Sequence, residues 1–516
     1  MNTEKESDYP YSRRQFLRTS FSAVGLSTGV GQVAGQNDLT DTQSGRPESM
    51  VDRFEQQQSL TIGGQDSGDR FGTSIDVSAD ETTAIIGAID DGTRNGSSTG
   101  SGYIFTRGEN GWTKEQRIVA DDGESGDRFG ISVSITEDGN TVLIGANGVD
   151  QSKGAAYEFV RNDSEWVQQE KFDFEEIKRE DQFGTSTALS NDGSVAFIGA
   201  PNFTVEFRDP ESEVDSVFGD GSDISKNTGA LYLVERKGGG WSKEKAWYVV
   251  DHNTLHSTDN PISRPGYESG VRQTGDTYFG RSISLSDDGT TALVSAQKDR
   301  NGSAYLLTKE NNEWSHRNFS PRNDNSDAEF GNSVSITADG TKSLIVAPNE
   351  LDSDGRQTGA AYVINTTTGE RSRLTVQTDI DEDESEEAIP LSDVGSSMGA
   401  ISSDGDVAVI DTEEHNPPFL FAYIDDNWEQ IQEISIGDEE TTEQFGYETE
   451  LFSQGSKILT SDPFYNAKGA VFEFAEIEET DSNNSTDSNL PGLGFGSAII
   501  GAVGGGYLLH QYRTDE

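Results

Sequence analysis

A chain of 516 residues has room for several domains or for one large repeat architecture. Its 92 acidic residues against 38 basic ones give a formal net charge of −54, which argues against nucleic acid as a partner because a polyanion would be repelled. The absence of cysteine excludes disulfides, thiolate metal sites, a cysteine nucleophile and a lipidated N-terminal cysteine. The acidity runs from end to end and the apolar blocks are regular, so the chain reads as a folded protein kept soluble in concentrated salt.

Residues 1–35 read as an export signal. Ser12-Arg13-Arg14-Gln15-Phe16-Leu17-Arg18 precedes a Gly/Ala/Ser-rich stretch, Thr19 to Gly35, and together they resemble a twin-arginine signal peptide. Cleavage is expected around Ala34 or Gly35, and residues 36–53 are a linker.

From residue 54 to 475 one pattern recurs. Phe-Gly or a worn equivalent stands at Phe71-Gly72, Phe129-Gly130, Phe183-Gly184, Phe279-Gly280, Phe330-Gly331, Val394-Gly395 and Phe445-Gly446. Each opens a strand with period-two alternation, clearest in Phe129, Ile131, Val133 and Ile135. An Asp-Gly turn comes next, as at Asp138-Gly139, Asp192-Gly193, Asp288-Gly289, Asp339-Gly340 and Asp404-Gly405. A continuous apolar run then ends in small residues (Leu143-Ile144-Gly145-Ala146), as a strand buried on both faces would. Small residues are expected where blades crowd a central channel. A third strand opens with glycine and an aromatic alternation, as in Gly154-Ala155-Ala156-Tyr157. Trp112, Trp166, Trp241, Trp314 and Trp428 begin a fourth, more polar strand.

Four antiparallel strands repeated seven times predict an all-β, seven-bladed β-propeller. The last repeat stops after its third strand, while an orphan fourth strand, Phe54 to Leu60, precedes the first. Phe54 lies 17 residues before Phe71, the spacing of Trp112 to Phe129 and of Trp428 to Phe445. The N-terminal strand is therefore expected to complete the last blade and close the ring, leaving no exposed edge.

These landmarks resemble the FG-GAP repeat family, known from integrin α chains, over about residues 54–475. The resemblance implies a propeller with ligand-binding loops on one face. Integrin-type blades hold calcium in an Asp-rich loop, but here only Asp-Gly remains, so that site is not carried over.

In such a blade the 2–3 and 4–1 loops share a face. The longest of each, Asn202 to Thr228 and about Ala246 to Gly275, fall at blades three and four. They carry Phe203, Phe207, Arg208, Phe218, Trp247, Tyr248, His252, His256, Arg264 and Tyr267, read as exposed and as a candidate contact patch. Packing of the two loops on each other is the alternative. The channel mouth is the second choice of site. Glu350, Asp352 and Asp354 resemble the front half of a calcium loop without its closing bidentate Glu, with an ordinary acidic turn as the alternative. Eight Asn-x-Ser/Thr sequons, including those at Asn162, Asn202, Asn301 and Asn365, are glycosylation candidates on an exported chain.

Residues 476–490 read as a polar stalk, and 491–516 as a membrane anchor whose uncharged run is Leu493 to Leu509. Pro491-Gly492-Leu493-Gly494-Phe495 followed by that run and Arg513 resembles an archaeal C-terminal sorting signal. The expected function is binding or adhesion to an extracellular protein or glycan, with no catalytic residue singled out. Alternatives are a propeller-scaffold hydrolase of extracellular polysaccharide and a structural envelope component.

Overall fold

The computed structural model describes residues 54–62, 68–92, 98–205, 226–251, 254–258, 276–299, 301–321, 328–351, 359–376, 398–411, 418–436 and 444–477. The chain divides into two compact units, Met1–Pro47 and Glu48–Glu516; the first lies wholly outside the described residues. The expected signal, linker and anchor, with the stalk beyond Ile477, also lie outside them. Among the described residues no helix is long and apolar enough to cross a membrane.

Seven antiparallel sheets follow one another in chain order. Blade one consists of Phe71–Val77, Thr83–Ala88, Ser101–Gly108 and Gly111–Ile118. Blade two repeats this with Phe129–Ile135, Thr141–Ala146, Ala155–Asn162 and Glu165–Phe172. Blade three holds Thr187–Leu189, Val195–Ala200, Ala230–Lys237 and Gly240–Asp251, and blade four Ile283–Leu285, Thr291–Ala296, Ser303–Glu310 and Glu313–Phe319. Val334–Ile336, Lys342–Ala347, Ala360–Asn365 and Arg371–Leu374 make blade five; Gly399–Ile401, Val407–Ile410, Phe419–Ile424 and Asn427–Glu433 make blade six. Blade seven has Thr449–Phe452, Lys457–Asp462 and Ala470–Glu476, and Phe54–Leu60 is its outer strand.

The second strands are the core. Thr83–Ala88 and Val195–Ala200 are buried at every position, because each is covered by a neighbouring blade on either face. Outer strands alternate, as in Glu165–Phe172, where water covers one side. The crowding expected of the small residues is a contact between adjacent blades. A Cβ on Gly145 would collide with the carbonyl of Gly184 in the next blade, and Gly87 and Gly199 stand in the same relation to Gly130 and Gly280. In blades one to four the glycine before the third strand bridges the next blade in parallel, as Gly154 does to Phe183 and Gly302 to Phe330. The Asp-Gly turns close on themselves. Asp138, Asp192 and Asp288 each accept a hydroxyl two residues earlier and a backbone N–H two residues later.

Two expectations need correction. The alternation read in Phe129, Ile131, Val133 and Ile135 is broken by a bulge: Phe129 pairs with Ala146, the next pair is Ser132 with Gly145, and Ile131 is only half-buried. The loop read from Ala246 begins later, because the outer strand of blade three runs to Asp251 and forms a hairpin with a fifth strand, Thr254–Thr258.

Closure is direct. Phe54–Leu60 runs antiparallel to Ala470–Glu476, with Phe54 opposite Glu476 and Leu60 opposite Val471. A clasp between outer strands crosses this joint. The Gln58 side chain donates to the Trp112 carbonyl and accepts its N–H, both at 2.8 Å; Gln116 makes the same pair with Trp166. Gln432 of blade six does so with Phe54, at 2.9 and 2.8 Å. Phe54 thus stands where the repeat places tryptophan.

Candidate functional site

The two long insertions leave the fold at one spot. The 2–3 loop of blade three opens with Thr204–Val205 paired to Lys226–Asn227. Its returning end meets the end of the 4–1 insertion: the Thr277 N–H donates to the Asn227 carbonyl at 2.9 Å, the Asn227 N–H to Asp276 at 3.0 Å, and the Thr277 hydroxyl to the Thr228 carbonyl. Loops of both kinds therefore share a rim, as expected.

The aromatic patch read on them is not exposed where the structure describes it. Phe203 is 4 % exposed and lies edge-on to Tyr232. Trp247 is 3 % exposed, between Phe197 and Trp314 with ring centroids at 6.0 and 5.9 Å. Tyr248 is buried and stacks on His256, which is half-buried. The outer strand continues past Ala246 and is covered on both faces: Ala246 and Tyr248 join the cluster that holds Phe203 and Tyr232, while Trp247 and Val249 join the one that holds Phe197 and Val294. Phe207, Arg208, Phe218, His252, Arg264 and Tyr267 lie outside the described residues.

Glu350 is buried and accepts the Tyr362 hydroxyl. Tyr103 with Asp91 (2.6 Å) and Tyr305 with Asp299 (2.9 Å) repeat that pair, so an acid in the 2–3 loop holds the third-strand tyrosine. Asp352 and Asp354 lie outside the described residues, among which no group of three His, Asp or Glu side chains is placed to hold a metal ion. Of the sequons, Asn162 is exposed at a hairpin tip; Asn202, Asn301 and Asn365 are half-buried, and Asn365 accepts the N–H of Thr367 and Thr368.

One group went unread in the sequence. Asp76 on the inner strand of blade one, Glu448 and Glu450 at that of blade seven, and Asp411 at the end of blade six's second strand lie near one another. Burial, the largest cause, pushes Asp76 up to about 7, against hydrogen bonds from the N–H of Ile135 and Val77. Burial and then the Asp76 charge push Glu448 up to about 8. Burial, Asp76 and Glu448 raise Glu450, and burial raises Asp411 well above the usual range although the Thr449 hydroxyl donates to it at 2.9 Å. Asp76, Glu448 and Glu450 keep partial solvent access yet are enclosed by the inner strands, while Asp411 is 3 % exposed. The readable signal was a repeat alignment: five Phe-Gly repeats carry serine three residues after Phe, and the one that opens at Phe445 carries Glu448.

Residues 54–105 and 112–159 match the family model described as FG-GAP repeat. No curated protein matches the chain. Solved structures similar to it include the Dos1 propeller, at 11 % identity over 78 % of each chain with a TM-score of 0.43. A protein from Lactobacillus plantarum matches at 11 % over 74 % of this chain and 92 % of that one, TM-score 0.41. A putative 6-phosphogluconolactonase from Bacteroides uniformis matches at 10 %, over 74 % of this chain and 89 % of that one, TM-score 0.44. Sheet order makes this chain a seven-bladed β-propeller, whose residues 54–105 and 112–159 match the FG-GAP repeat.

Proposed function

We propose that this chain is an exported, membrane-anchored surface module that binds an extracellular protein or glycan through loops on one propeller face. The observation that carries this reading is the joint origin of the two insertions, held together at Asn227 and Thr277. A propeller gives that rim a rigid base, and loops on rigid scaffolds are where binding residues concentrate. On this reading the contact residues are Phe207, Arg208, Phe218, His252, Arg264 and Tyr267, which lie outside the described residues. Export rests on Arg13 and Arg14, attachment on Leu493 to Leu509, both as sequence motifs.

The test is a loop exchange. Replacing 206–225 by a short turn, outside the paired Thr204–Val205 and Lys226–Asn227, leaves the fold intact because closing a loop between fixed strands costs little. Binding on a glycan and protein array should then be lost. Binding that survives this exchange and shortening of 259–275 overturns the rim assignment. A reducing-end assay on the same glycans separates binding from hydrolysis. For location, Lys at positions 13 and 14 should retain the protein inside the cell, and removal of 493–516 should release it to the medium.

A further inference from the structure

At most blade junctions the inner strands are joined by hydroxyls. Ser74, Ser132 and Ser186 donate to the carbonyls of Gly130, Gly184 and Gly280 in the following blade, at 2.9, 3.1 and 2.7 Å. Two residues further along, Ser284 and Ser335 accept the N–H of Ile336 and Ile401, at 3.0 and 3.2 Å. Where blade seven meets blade one, both registers change. Glu448 and Glu450 occupy those two registers of blade seven, and Asp76 of blade one lies near them, its own oxygens accepting the N–H of Val77 and, across the next junction, of Ile135 in blade two at 2.7 Å. Asp411 stands where blades one to three have the glycine of Gly-Ala. Its Oδ1 accepts the hydroxyl of Thr449, which lies between the two glutamates, and its Oδ2 is buried with no hydrogen-bond partner.

A protonated carboxyl can do what serine does here, donating its O–H to a carbonyl across the junction. A carboxylate cannot donate, although in the second register it still accepts an N–H, as Asp76 does from Ile135; crowded with other carboxylates in a poorly solvated seam, it repels them and the carbonyl oxygens. This junction is also where the ring is closed by strands from opposite ends of the propeller. We infer that the acidic seam is a pH-operated latch on ring closure: protonated, it holds blade seven against blade one, and its ionisation loosens this junction before any other.

The surrounding groups do not offset the charge. Lys457 on the neighbouring strand pairs with Glu81 at 2.7 Å, Arg107 with Glu473, and Asp462 accepts the Phe464 N–H. Glu476 ends the third strand, opposite Phe54. Tyr447 is the remaining titratable group beside Glu448, and Phe129–Ile135, Thr83–Ala88, Gly399–Ile401 and Val407–Ile410 carry none. With folded values raised above those of free carboxyls, the stabilisation is complete below about pH 4 and is lost as pH rises through about 7 to 8.

The test is hydrogen exchange of the full chain at constant molar salt, at about pH 5 and about pH 8, corrected for intrinsic rates. Phe54–Leu60, Thr449–Phe452 and Ala470–Glu476 should lose protection at the higher pH by about tenfold or more relative to Thr291–Ala296. Glu448→Gln with Glu450→Gln, which keeps a donor without charge, should remove that difference. Glu448→Ser, restoring the residue of the other repeats, should reduce it and serves if the double variant does not fold. Glu165→Gln with Glu313→Gln removes the same charge from exposed outer-strand positions and should leave the response unchanged. The latch is overturned if the seam variants respond like the parent, or if all blades lose protection alike. It is also overturned if the response depends on the identity of the salt cation, which would assign the seam to a metal ion.

Discussion

Gly145 shows how a single position can be fixed by another blade. A methyl group there must push against the Gly184 carbonyl, which accepts the Ser132 hydroxyl while the Gly184 N–H donates to Gly199. Gly145→Ala should cost about 1–3 kcal/mol in a denaturant melt, as overpacking of a tight core does. Gly240→Ala, at a hairpin with open space around it, should be neutral in the same experiment. The sequence made such glycines legible as landmarks of crowded blades, but not which atom each one meets, because the partner lies in the next repeat. Phe203 and Trp247 misled for a related reason. Aromatics beside an insertion look exposed until the strand is seen to run on past Ala246 and bury them. The seam carboxylates hid among 92 acidic residues and stood out only where the other repeats have serine.

The strands themselves were largely readable, since alternation, Asp-Gly turns and apolar runs recur with each blade. The fifth strand of blade three was not, because Thr254–Thr258 is short and mostly polar and has no counterpart in other repeats. The glutamine clasp was also invisible, since its partners lie one blade apart. Gln58→Ala removes two hydrogen bonds to the Trp112 backbone and should lower stability by about 1–3 kcal/mol, read as a shift in denaturant midpoint. Deleting Met50 to Ile62 is the stronger test of closure. Without its outer strand, blade seven exposes the edge of Ala470–Glu476, and the whole propeller should melt earlier. A truncated chain that melts like the intact one would refute closure by this strand.

For the whole molecule the decisive quantity is charge. An excess of 54 negative charges is tolerable when the Debye length is about 3 Å in 1 M salt and is not when it reaches about 30 Å in 0.01 M salt. Dilution from molar salt should therefore produce a reversible loss of β-sheet circular dichroism, and full native signal in dilute buffer would assign the acidity another purpose. The way the ring is joined has one more consequence. Because Phe54 lies directly opposite Glu476, the first and last strands of the propeller end side by side, just as Asn162 and Glu165 do across the ordinary hairpin of blade two. A two-residue turn linking Glu476 to Phe54 would make blade seven continuous, and new ends could be cut between Gly238 and Gly239, where no neighbouring atom approaches. Such a circular permutant should fold to the same ring, so the choice of which blade is sewn together from two ends is a matter of gene order and not of architecture.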